Sequence, residues 1–423
     1  MNALLVRGAR QLLTLRGPAG PRRGPQMKDL GVIPDGAILI VDGVIRESGP
    51  ARRVENLAAA RGATELDVAG KVVIPAFVDP LSFVTGLPVR GADLDGDPRT
   101  RSRTLTLERQ IETSLTRHSR AAPAGRLAFN ASRVLQDMVR HGTGTLETHI
   151  GIGLEDSPGS KMIRATSRLG GGPIDITQSI LLGQPGLMEF DGREGDYIRW
   201  INDLLLPRLA RRDPVEAACA CLGFGVLDDH SARECMAAAG RLGLRLGVSR
   251  GPLGGDSAVE FALRARVASL SGLSELSSTA RQALAESHTA CILRPTLCHN
   301  GWRDPEPARA LIDGGAIVAL ASGWHPVFSP IASMSMVLSL GCTLYAMKPA
   351  ETLSAATANS AAALGLLHRC GSLEPGKQGD FLILSVPDFR DLPVMFGVNP
   401  VEAVVKRGAV VWQRGAVIWP QDS

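Results

Sequence analysis

A chain of 423 residues with 44% hydrophobic content can bury a large core and exceeds one small domain. Its 46 basic and 42 acidic residues leave a formal net charge of +4, too evenly balanced for a nucleic-acid footprint, so no nucleic-acid partner is expected. No run of about eighteen apolar residues occurs, which argues against a membrane-spanning helix, and the seven cysteines lack the CxxC spacing of a zinc ribbon or the even count of a disulfide framework. A reducing, cytoplasmic setting is expected.

The N-terminal stretch MNALLVRGARQLLTLRG carries Arg7, Arg10 and Arg16 without an acid, a composition shared with transit peptides. LLV and QLLTL are nonetheless read as short strands. Further apolar runs such as GAILIVDGVI follow a Gly/Pro/Arg loop, GPAGPRRGP at 17–25, and give residues 1–70 the texture of a small β domain. Residues 71–370 alternate short apolar strands with longer helical stretches, for instance RLAFNASRVLQDMVRHG before TGTLETHIG. Such repeated βα units fit a (β/α)8 TIM barrel, with chemistry at the C-terminal ends of the strands. A doubly wound open sheet is the alternative that periodicity leaves standing. Residues 371–423 return to strands, DFLILSV and then VEAVVKRGAVVWQRGAVIW with a glycine-containing turn, so a β-sandwich composed from both termini is expected.

Motifs narrow this further. Residues 349–411 contain SLEPGKQGDFLIL and then DFRDLPVMFGVNPVEAVVKRG. The first resembles the general return from barrel to β domain in the amidohydrolase superfamily, and the second resembles the tail of imidazolonepropionases within it. GTGTLETHIGIGL at 142–154, ALASGWHPVFSPIASMSMVLSLGCTL at 319–344 and KVVIPAFVDP extend the resemblance over nearly the whole chain. It implies a hydrolase lineage acting on C–N bonds of cyclic amides, with one zinc or iron ion.

The metal positions depart from that pattern. After PxFVDP the family places His-x-His, two imidazoles on one strand face aimed at one metal; here Leu81 and Phe83 stand there. Ser249 replaces the histidine of a later strand, with Arg250 following, and SGLSEL puts Gly272 and Glu275 where further histidines belong. In SGWHP, Gly323 replaces the aspartate that in the family is both a ligand and the base for metal-bound water. The resemblance therefore implies a scaffold without its metal ligands, and no cofactor is expected.

Among substrate-contact positions, Arg90 in TGLPVRG matches the family's anion-gripping arginine. A solvated loop arginine is an equal reading. Ile152 replaces a tyrosine, Gln184 a histidine, and Leu222 and Gly223 paired acids. His149, where the family has a lysine, lies two residues after Glu147 on one strand face, and His325 lies near the expected pocket mouth. Glu147, His149 and His325 are thus weak catalytic candidates, with a hydrogen-bonded structural pair the plainer reading of the first two. Cys298 beside His299 is adjacent in sequence rather than oriented across a site, and LGGGP and GPLGGDS match no phosphate-loop pattern. Two readings remain: a noncatalytic protein that binds a small anion or pairs with a copy of itself or an active relative, and a hydrolase of C–N bonds in cyclic amides working either without metal or with metal ligands at positions other than those matched above.

Overall fold

The computed structural model describes residues 2–87, 105–151, 156–183, 190, 192–212, 215–222, 227–250, 255–273 and 275–417. The N-terminal segment contributes β1 (Ala3–Leu13), β2 (Val32–Val41), β3 (Val44–Pro50), β4 (Thr64–Asp67) and β5 (Val72–Pro75). The barrel strands are β6 (Phe77–Ser82), β7 (Thr143–Gly151), β8 (Asp175–Leu182), β9 (Ala217–Leu222), β10 (Arg245–Arg250), β11 (Ser269–Ser271), β12 (Ala290–Leu293) and β13 (Ile317–Leu320). The chain ends with β14 (Phe381–Leu384), β15 (Val401–Lys406), β16 (Ala409–Gln413) and β17 (Ala416–Val417).

The terminal strands form one mixed sheet in which β5 pairs with β1 on one side and antiparallel with β14 on the other, joining the two ends of the chain. The two expected N-terminal strands are one continuous strand: β1 passes through Gly8, at φ +78°, where its register with β2 shifts between Val6 and Ala9. The bulge lets one strand replace two without breaking the ladder. Hairpin turns sit where the sequence offers residues that tolerate positive φ, Asp42-Gly43 between β2 and β3 and Arg407-Gly408 between β15 and β16. The passage into the barrel falls between Pro75 and Phe77, later than the boundary expected after residue 70, because β5 extends the first sheet.

The eight strands β6 to β13 are parallel, each paired with its sequence neighbour. A doubly wound sheet would reverse its strand order, so this is the (β/α)8 arrangement. The seam between β13 and β6 is drawn together by Asp79, whose carboxylate accepts from the Ser322 N–H at 3.1 Å and the Ser322 hydroxyl at 2.5 Å. The Phe83 N–H donates to the Trp324 carbonyl at 2.8 Å just above it.

Strand parity fixes which side chains enter the barrel. Leu146 and Ile150 of β7, Ala218 and Ala220 of β9 and Val318 and Leu320 of β13 join the large apolar cluster between strands and helices. Their alternates therefore face the axis. On β7 these are Glu147 and His149, on β9 Cys219 and Cys221, and on β13 Ile317 and Ala319.

Candidate functional site

Five positions singled out by the sequence stand at the C-terminal ends of barrel strands: Leu81 and Phe83 at β6, Ser249 at β10, Gly272 just after β11 and Gly323 just after β13. Leu81 is 1% exposed and packs with Ala290, Ile292, Ala319 and Ala321. Phe83 touches that cluster and a second one made of Leu181, Cys219 and Cys221. Its ring thus bridges side chains from opposite sides of the barrel mouth. Burying Leu81 alone contributes about 1.5–3 kcal/mol of hydrophobic transfer, so the strand end that carries metal ligands in the family here holds the core together.

Glu147 and His149 come together, as their two-residue spacing on β7 requires, with His149 Nε2 3.1 Å from Glu147 Oε1. Glu147 also pairs with Arg245, which rises from the start of β10, and Arg245 Nη1 donates to the Ala363 carbonyl at 3.3 Å. Burial alone would push the Glu147 carboxyl up, but Arg245 and His149 outweigh it and hold it below the usual carboxylate range. An ionised carboxylate only accepts, so the ring hydrogen belongs on His149 Nε2. His149 Nδ1 is buried and has no hydrogen-bond partner among the described residues.

His325 lies on the other side of Phe83. The Phe83 ring centroid is 5.5 Å from that of His149 and 5.4 Å from that of His325, edge-on to both. His325 Nδ1 accepts from the Val327 and Phe328 N–H groups at 3.3 and 3.1 Å, which places its ring hydrogen on Nε2, 3.4 Å from Glu112 Oε1. Phe328 stacks on the imidazole at 4.4 Å and anchors it. Phe83, Glu112, Thr116, His149, Met162 and His325 belong to the wall of one pocket of about 400 Å³, counted out to its open mouth.

The remaining positions offer little to a metal. Leu81, Phe83, Gly272 and Gly323 have no side-chain donor atom, Ser249 has only a hydroxyl, and Glu275 is exposed. Gly323 sits at φ +56°, and a Cβ there would lie 3.0 Å from Arg294 Cδ. Arg294 therefore occupies room beside the place where the family has its aspartate. Burial lowers the Arg294 pKa while Glu306 opposes the shift, and the Arg294 backbone N–H donates to Glu306 at 2.7 Å. Two inward thiols do not compensate: burial pushes Cys221 up to about 12 and Cys219 well above its ordinary value, away from the thiolate that binds metals or attacks carbonyls. The described residues contain no group of three His, Cys, Asp or Glu placed to hold a metal ion. This donor set does not fit the zinc or iron that the resemblance implies.

Arg90, Gln184, Ile152 and Gly223 lie outside the described residues. His299 ends the helix Pro295–His299 and meets Phe396 rather than the pocket. Sequence reading missed Glu112, since nothing in ERQIETSL distinguishes a pocket carboxylate from a solvated helix face. It also missed Arg245, although a cation opening the strand RLGVSR was a usable signal.

A parallel eight-stranded barrel coupled to a sheet from both chain ends, with its pocket at the C-terminal mouth, is the amidohydrolase architecture. The sequence pattern of the amidohydrolase family matches residues 303–411. Imidazolonepropionase from Solibacter usitatus (strain Ellin6076) is 34% identical over 97% of this chain and 99% of its own. Imidazolonepropionase from Chloroflexus aggregans (strain MD-66 / DSM 9485) is 33% identical over 96% and 98%. Among solved structures, an amidohydrolase from an environmental sample of the Sargasso Sea superposes with a TM-score of 0.71 at 20% identity, covering 98% of this chain and 94% of that one. The chain belongs to the amidohydrolase family and, within it, to the imidazolonepropionase group.

Proposed function

We propose that this chain is an imidazolonepropionase-like protein that no longer performs metal-assisted hydrolysis and instead binds a small molecule at the barrel mouth, alone or as the subunit of a larger assembly. The observation that carries the reading is the Phe83 ring, which spans the mouth between Leu81, Leu181 and the inward cysteines, where the family's first two ligands would project. Metal-assisted hydrolysis needs a Lewis acid for the carbonyl, a base for the bound water and an open coordination position. Apolar packing at β6 and glycine at position 323 supply none of the protein groups for these tasks.

The test is the metal content per chain after purification with added zinc and iron and extensive dialysis, read by elemental mass spectrometry beside an assay of imidazolonepropionate hydrolysis. The expected result is a negligible metal content and no turnover. Near one tightly held ion per chain, with turnover removed by a chelator, would overturn the reading.

The paired histidines favour a second reading, hydrolysis of a cyclic amide without metal. Glu147 orients His149 and Glu112 lies against His325, so each imidazole has the carboxylate partner that general acid–base work uses. Turnover by metal-free protein, abolished in both His149→Ala and His325→Ala, would establish it in place of the first.

A further inference from the structure

We propose that the barrel mouth binds a phosphoryl oxyanion, free or as the end group of a small phosphomonoester, on the Arg294 guanidinium beside Gly323. The inference rests on the ligand-binding reading above, and it moves the anion expected from Arg90, which lies outside the described residues, to a different arginine.

Strand parity turns Arg294 toward the barrel axis. Cys291 and Leu293 of β12 join the outer apolar cluster, while Ala290 and Ile292 pack with Leu81 inside the barrel, so position 294 falls on the inward side. The side chain then runs across Gly323. A Cβ on that glycine would lie 3.6 Å from Arg294 Cβ, 3.3 Å from Cγ and 3.0 Å from Cδ, a course that carries the guanidinium past the bare backbone. Its charge reaches the inward thiols of Cys219 and Cys221 on β9, where it opposes the rise that burial imposes on them.

The guanidinium has no acceptor. Arg294 is partly buried, its Nε is buried without a hydrogen-bond partner, and no described residue forms a hydrogen bond or ion pair with the guanidinium. Other arginines of the interior differ: Arg245 pairs with Glu147, Arg303 forks onto Glu108, and Arg22 and Arg23 donate to backbone carbonyls. Glu306 is the acid that acts most on Arg294, but its Oε2 accepts from the Arg294 backbone N–H at 2.7 Å and the Tyr345 hydroxyl at 2.8 Å. Burial pushes the Glu306 carboxyl up, which reduces the charge it sets against Arg294. A cation taken from water without a partner is costly, and a bound anion would offset that cost.

Gly323 favours phosphate. A guanidinium fork satisfies both oxygens of a carboxylate, whereas phosphate keeps a further oxygen for a third donor. Gly323 offers one, because its N–H forms no hydrogen bond with a described residue and a backbone without a side chain can approach a ligand closely. Its Cα lies within about 4.5 Å of Arg294 Cδ, one carbon–carbon bond beyond the contact of 3.0 Å. The position fits too: Arg294 follows the seventh barrel strand and Gly323 the eighth, where (β/α)8 barrels often hold phosphate groups.

The test is a calorimetric titration of the full-length protein with inorganic phosphate, methyl phosphate and acetate, near neutral pH and at matched ionic strength. Phosphate or its methyl ester is expected to bind with a dissociation constant on the order of millimolar, as suits so few atoms, and acetate roughly tenfold more weakly. Tighter binding of methyl phosphate assigns the site to a phosphomonoester, and tighter binding of inorganic phosphate to the free ion. Arg294→Gln should weaken the preferred ligand by roughly tenfold or more, the loss of a charge-assisted pair. Arg126→Gln, at an exposed helix arginine, should leave it unchanged. Phenylglyoxal modification of the wild-type protein, mapped by peptide mass spectrometry, needs no variant: phosphate should protect Arg294 and leave Arg126 reactive. Equal losses in the two variants, or no protection of Arg294, overturn the inference. Acetate binding as tightly as phosphate overturns the phosphate assignment while leaving a ligand-binding mouth intact. Silence from all three ligands overturns the inference, and the metal and turnover assays then decide the underlying reading on their own.

Discussion

Gly323 is the residue on which a departure from the family's sequence pattern and the local packing meet. Its φ of +56° suits glycine, and a Cβ there would meet the Arg294 side chain at 3.0 Å. Gly323→Ala is therefore expected to cost about 1–2 kcal/mol in urea unfolding, the usual penalty for a left-handed alanine, with the Arg294 contact pushing it to the upper end. Restoring aspartate here would meet the same obstacle before any ligand could form. The exchange at 323 is legible in the sequence because SGWHP lacks an acid. That Arg294 leans over the glycine is not, since helices, loop and strand β13 separate them in the chain and the pairing of β12 with β13 makes them neighbours.

At the scale of elements, the seam between β6 and β13 depends on a buried acid. Burial raises the Asp79 pKa from 3.8 to about 6, against the lowering effect of its bonds from Ser322 and Leu81. The folded state thus holds the proton more tightly than the unfolded chain. Asp79 contributes stability that is fully present below about pH 4 and is lost as pH rises through about 6. Urea midpoints measured from pH 4 to 7 should show this downward slope in wild type, and Asp79→Asn should flatten it. The VDP motif announced the strand but not the seam, because Ser322 follows the last strand of the barrel. The β7 pair was different: a spacing of two on a strand puts Glu147 and His149 on one face whatever the fold, and the structure places them in contact. What the spacing left open was their setting, which Arg245 supplies from β10.

Across the whole molecule, the terminal sheet is fastened to the base of the barrel by a buried ionic cluster. Lys406 of β15 is 4% exposed and donates to Asp175 at 2.9 Å, to Asp380 at 2.6 Å and to the Gly144 carbonyl at 2.9 Å. Arg369 and Arg407 complete the neutralisation of Asp175, whose pKa stays low although burial alone would raise it. Removing one member of a buried network leaves its partners charged and unpaired. Lys406→Met should lower stability by about 3 kcal/mol or more in urea unfolding, with a loss of cooperativity between barrel and sheet visible as separated transitions by fluorescence and circular dichroism. A loss under about 1 kcal/mol would show that the two arginines suffice.

The sequence by itself determined the architecture and its lineage. Strand period, helical stretches and turn chemistry are local properties that short segments carry intact, and the terminal motifs placed the chain among the imidazolonepropionase-like amidohydrolases. It also determined which side chains stand at the positions that carry metal ligands in the family, since identity needs no geometry. The tertiary structure decided what those side chains face. Whether Phe83 fills the mouth, which nitrogen of His149 lacks a partner among the described residues, and that Glu112 lines the pocket all depend on groups from separate strands and a helix converging on one end of the barrel. Such convergence follows from strand tilt and closure of the sheet on itself, a relation between distant parts of the chain that no local pattern encodes.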